Sequence, residues 1–132
     1  GEEGPGNVGS SSSGDVHVVD MADPARPREV AVFSVDAAGT HNFAVDAERG
    51  ILYAAYYNAG VRALDIRGDL GTCPAAQRRA DGRCDLARMG RELGRGLVGR
   101  GAHVWGVEYV APGSPGGGAV YASDMLGGLW KL

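Results

Sequence analysis

The chain predicts an all-β, antiparallel fold, and three features of its 132 residues carry that prediction. Glycine supplies 23 of the 132, far above the usual ~7%, with neither a collagen period nor a heptad to account for it. Short apolar runs alternate with Gly-, Pro- and Asn-containing turns every ~8–12 residues, the spacing of short antiparallel strands. Third, segments of the chain repeat. Ile51–Leu64 lies on Ala119–Leu132 without a gap, so that Tyr53 meets Tyr121, Ala54 meets Ala122, Gly60 meets Gly128, Val61 meets Leu129 and Leu64 meets Leu132.

The elements follow in chain order. Gly9–Gly14 (GSSSSG) has the composition of a loop or linker. Val16–Asp20 is an aliphatic strand closed by Asp20, and the Pro-containing turn Met21–Pro27 leads to a weaker strand, Glu29–Val35. A His-led strand, His41–Val45, then turns at Glu48-Arg49-Gly50 into an apolar strand, Leu52–Tyr57. Asn58-Ala59-Gly60 is a tight turn, with glycine where positive φ is required. The next strand ends in Leu64-Asp65-Ile66, and Asp15–Met21 lies over Gly60–Ile66. Asp85–Leu93 carries Leu86, Met89 and Leu93 at spacings of three and four, the pattern of one or two helical turns capped by Asp85, which Gly90 and Gly94 weaken. The second His-led strand, His103–Val110, a flexible turn at Pro112–Gly118, the strand Val120–Met125 and the turn Leu126-Gly127-Gly128 repeat the earlier order. Thr40–Asp46 accordingly lies over Ala102–Glu108, pairing His41 with His103 and Phe43 with Trp105.

A repeat of about 45 residues holding four strands has the length of a propeller blade. The run Val16-His17-Val18-Val19-Asp20, followed by Met21-Ala22-Asp23-Pro24-Ala25-Arg26-Pro27, resembles the LVIVD repeat: a short aliphatic run, an Asp, then an Asp-Pro-x-x-Pro turn. Val61–Ile66 keeps the aliphatic-Asp ending but lacks the Pro turn, since Arg67-Gly68-Asp69-Leu70 follows. The resemblance covers most of the chain except residues 70–100. It implies a β-propeller of bacterial, often surface-exposed or secreted, proteins. Residues 1–36 then form the tail of one blade, 37–100 a full blade with an insertion at 70–90, and 101–132 three strands of the next. A closed propeller needs ~4–8 blades. The expectation is therefore an incomplete propeller, a C-terminal or internal fragment whose partners include the other blades of its parent. Neither an initiator Met nor a signal peptide is present, and both ends read as cut.

Cys73 and Cys84 stand eleven positions apart in the insertion. Without a CxxC or a Cys/His cluster, the pair reads as a disulfide closing a loop, with a zinc site and two free thiols as the other readings. A disulfide requires an oxidising, extracytoplasmic compartment. First strands of propeller blades line the central channel, so His41 and His103 would converge there. Each is either a strand cap or a channel-lining group able to hold a divalent metal with further ligands. His17, on another type of strand, should lie apart. Asp20 with Asp65, and Asp46 with Glu108, read as caps or as calcium ligands, while Phe43 with Trp105, and Tyr53 with Tyr121, read as inter-blade packing or as ligand stacking.

Nucleotide loops and nucleophile elbows are absent in the context they need. The net charge of −3 argues against a nucleic-acid partner. The basic stretch Arg78–Arg100, interrupted by Asp81, Asp85 and Glu92, reads as a solvated surface or an anion patch. No apolar run approaches the ~18 residues that span a bilayer. Two functions follow: a non-catalytic extracytoplasmic scaffold for a protein or small-molecule ligand, with no certain cofactor, or a metal-dependent propeller enzyme of the selenium-binding-protein, oxidase type using the channel histidines.

Overall fold

The computed structural model describes residues 1–96 and 101–132. It contains twelve strands and no α-helix among the described residues. The N-terminal hairpin joins β1 (Gly4–Asn7) to β2 (Ser11–Ser13), so the Gly/Ser segment read as a linker is half a hairpin. Gly6 and Gly9 at positive φ allow the chain to reverse there.

Three sheets follow the sequence repeat. The first pairs β3 (Val16–Asp20) with β4 (Arg28–Phe33). The second is a four-stranded antiparallel meander of β5 (Phe43–Asp46), β6 (Ile51–Ala55), β7 (Val61–Asp65) and β9 (Glu92–Gly96). The third is β10 (Val104–Val110), β11 (Ala119–Asp124) and β12 (Gly128–Lys131). Strands β3 and β7 hold corresponding residues of the repeat. Gly60 (φ 78°) and Gly128 (φ 81°) stand at the same place, leading into β7 and beginning β12. The aspartates that end β3 and β7 also act alike. Asp20 accepts a hydrogen bond from the Ala22 N–H and Asp65 one from the Arg67 N–H, each closing a turn.

Two apolar cores separate the three sheets. Alternation along β6 sends Leu52 and Ala54 to one side and Tyr53 and Ala55 to the other. The first core joins Ala54 and Leu64 to Val16, Ala31 and Phe33 of the β3–β4 sheet, and the second joins Ala55 and Val61 to Val104, Val107 and Val120 of the third sheet. The middle sheet is thus covered on both faces, and fully buried Ala54 and Ala55 let its neighbours approach closely.

The insertion closes through a Cys73–Cys84 disulfide, with Cα atoms 6.0 Å apart. It folds back onto the preceding repeat. β8 (Cys84–Asp85) pairs in parallel with Ala31 and Val32 of β4, and Leu86 enters the first core. The insertion therefore covers an otherwise open sheet edge. The helical pattern over Asp85–Leu93 yields only one turn. Asp85 Oδ1 does accept from the Ala87 and Arg88 N–H groups, and the Met89 N–H reaches the Asp85 carbonyl. Gly90 at φ 71° then stops the turn, and Leu93 belongs to β9.

Candidate functional site

Where the second and third sheets meet, a short β-bridge fixes the geometry. Tyr57, just beyond β6, exchanges two 2.9 Å backbone hydrogen bonds with Val104 of β10. Tyr57 has φ 35°, an uncommon value for a side chain of its size. The turn that follows is held by the Tyr56 N–H on the Gly60 carbonyl and the Gly60 N–H on the Tyr57 carbonyl. This places the Tyr57 ring between the two aligned histidines. Its centroid is 4.4 Å from that of His103 and 5.6 Å from that of His41. The histidines of successive repeats thus share one region, with a phenol between them. Spacing alone could not reveal Tyr57, because the repeat aligns it with Met125.

His41 sits just ahead of β5, its N–H donating to the Ala55 carbonyl. Its Nε2 lies 3.6 Å from Glu3 Oε1, the oxygen that accepts the Tyr57 hydroxyl at 2.6 Å. Burial and the adjacent Glu3 carboxylate both push the Tyr57 phenol well above its ordinary value, burial being the larger effect. His103 is fully buried. Its N–H donates to Asp124 Oδ1 at 2.9 Å, the same oxygen that accepts the Leu126 N–H. Asp124 is therefore a buried cap for the third sheet.

The donor set at the histidines does not suit a divalent metal. The Gly9 N–H donates to His103 Nδ1 at 3.1 Å, which leaves the proton of the neutral ring on Nε2. A metal needs a bare ring nitrogen. Ligation by Nε2 would move the proton to Nδ1, where it would meet the Gly9 N–H. His41 Nδ1 and His103 Nε2 are buried without partners, and no group of three His, Cys, Asp or Glu able to hold a metal occurs among the described residues.

His17 lies on β3, where Nδ1 faces Glu29 Oε1 of β4 and Nε2 faces Glu2 Oε2 at 3.3 Å. It is no part of the ring stack, but it holds the residue next to Glu3. The aligned aromatics divide. Tyr53 packs on Tyr109, with centroids 5.6 Å apart, as inter-sheet packing requires. Phe43 and Trp105 instead remain 37% and 44% exposed, while Ala44 and Val104 beside them are buried. Trp105 lies 6.1 Å from His41, and its Nε1–H donates to Ser123 Oγ.

In the basic stretch, Arg79 donates to Ser34, Arg83 pairs with Asp81 and Glu29, Arg88 donates to the Arg78 carbonyl, and Arg91 donates to the Arg67 and Asp69 carbonyls. These side chains tie the insertion down. Arg100 lies outside the described residues. Compared with protein-family models, characterised proteins and solved structures, the chain matches none. No described helix is long and apolar enough to cross a membrane.

Proposed function

We propose that this chain is part of an LVIVD-type β-propeller that serves as a non-catalytic, extracytoplasmic binding scaffold. Its binding surface is built on Trp105 and His41, whose rings lie 6.1 Å apart, together with the exposed Phe43 of β5. One observation carries the reading: the aligned aromatics of two successive first strands stay exposed although their strand neighbours are buried. Large apolar side chains at corresponding, solvent-facing positions are what a recognition surface needs. The sheet order supports the blade reading, because the second and third sheets are meanders and the middle sheet packs one face on each neighbour. The disulfide supports an oxidising compartment. A metal-dependent enzyme is the weaker reading, since the Gly9 N–H takes the lone pair of His103 Nδ1.

The test uses tryptophan emission. Trp130→Phe leaves Trp105 as the remaining tryptophan of the two. In a screen of peptides and small molecules against the oxidised protein, binders should shift Trp105 emission, and Phe43→Ala should abolish the shift. Binders that leave Trp105 emission unchanged and tolerate Phe43→Ala would overturn the proposal.

A further inference from the structure

The arm formed by residues 1–14 is an unusual neighbour for this site. Ser12 is its only buried residue, so apolar burial does little to hold it. Polar contacts do the work, and all three histidines of the chain take part. Glu2 faces His17, Glu3 faces His41, and the Gly9 N–H donates to His103. Ser12 Oγ also donates to Asn58 Oδ1 beside Tyr57.

The seat is shaped for this chain segment. A Cβ at Gly39 would lie 1.9 Å from the Ser13 carbonyl oxygen, so glycine there leaves the space through which the arm's backbone passes. At the other end, Gly1 rests against the Phe43 ring, where an added Cβ would come within 2.9 Å of Cζ. The arm thus lies over an exposed aromatic of the proposed surface and lowers a carboxylate onto the Tyr57 hydroxyl. Tyr57 is 1% exposed, and its hydroxyl has Glu3 Oε1 as its partner. A buried phenol donor with a histidine beside it is a carboxylate-recognition pair.

We infer that the His41–Tyr57 pair is a binding site for an acidic extended peptide, and that residues 1–14 occupy it in cis as a strap that such a peptide can displace. The inference rests on the proposed binding surface and names the chemistry of its ligand. Segments with few buried apolar contacts open most readily, so this strap is among the displaceable segments of the molecule. Tethering gives it a high effective concentration, and a competing peptide must overcome that advantage.

The test adds the strap in trans. A fluorescein-labelled peptide of sequence Gly1–Gly14 is titrated into the full chain carrying Glu3→Ala, with polarisation as the readout. Glu3 is exposed, so this change leaves the cores untouched. The peptide should bind this variant at least about tenfold more tightly than it binds the unaltered chain, whose own arm competes. A peptide bearing Glu3→Gln should bind the variant at least about tenfold more weakly, the loss expected for a hydrogen bond to a charged group. Equal binding of the Glu and Gln peptides, equal binding to both proteins, or no binding to the Glu3→Ala chain would overturn the inference. Phe43→Ala in the same background separates the two proposals: Glu3-dependent binding that survives it keeps the carboxylate site and removes the aromatic surface.

Discussion

At the scale of single residues, buried tyrosine hydroxyls report the packing most sharply. Tyr56 is fully buried and donates to the Phe33 and Gly14 carbonyls, and burial raises its phenol far above the ordinary value, as it does for Tyr57. A folded pKa raised above the unfolded ~10 means that the neutral form is favoured in the fold. The associated stability is complete below pH ~10 and is lost as pH rises toward the folded values. Titration followed at 295 nm should therefore leave Tyr56 and Tyr57 un-ionised until the alkaline transition unfolds the chain. Five tyrosines ionising in one step near pH 10 would contradict the burial. Gly39 gives a second residue-scale prediction. Gly39→Ala adds a methyl where the Ser13 backbone lies, so the Ser12 and Ser13 amides should exchange faster while those of β6 stay protected.

Among elements, the disulfide-bound insertion joins two repeats, since β8 adds to β4 while Arg83 reaches Glu29. Replacing Cys73 and Cys84 by Ser removes the constraint on the unfolded chain and loosens the cover over β4. Urea unfolding should show a loss of about 3 kcal/mol, the scale expected for a loop of this length. An unchanged midpoint would mean that core contacts such as Leu86 alone hold the insertion. Most elements were legible in the sequence because both of their causes are local: short apolar runs over β5–β7 and β10–β11, and glycines at turns that need positive φ. The helical reading of Asp85–Leu93 shows the limit. Its cap formed, but Gly90 stopped it and tertiary pairing took Leu93 into a strand. The β1–β2 hairpin was hidden because its Gly/Ser composition carries no apolar period, and contacts with distant histidines hold it in place.

Across the whole molecule, the repeats form one body because the middle sheet shares one core with each of its neighbours. The candidate site was half legible on this scale. Repeat register brought His41 and His103 into one region, but it could not find Tyr57, Glu3 or Gly9, whose roles depend on a turn at positive φ and on the arm's path. Register likewise could not show that Phe43 and Trp105 face solvent while Tyr53 packs on Tyr109. The Tyr57–Val104 bridge locks successive repeats together and sets both histidines around one phenol. Nuclear magnetic resonance of the oxidised full chain tests it most directly, by combining ring-proton Overhauser effects with amide exchange. Cross-peaks are expected from the Tyr57 ring to the rings of both His41 and His103, with the Tyr57 and Val104 amides protected as strongly as those of β6. Cross-peaks to only one histidine, or Tyr57 and Val104 amides exchanging as fast as the Pro112–Gly118 turn, would contradict it.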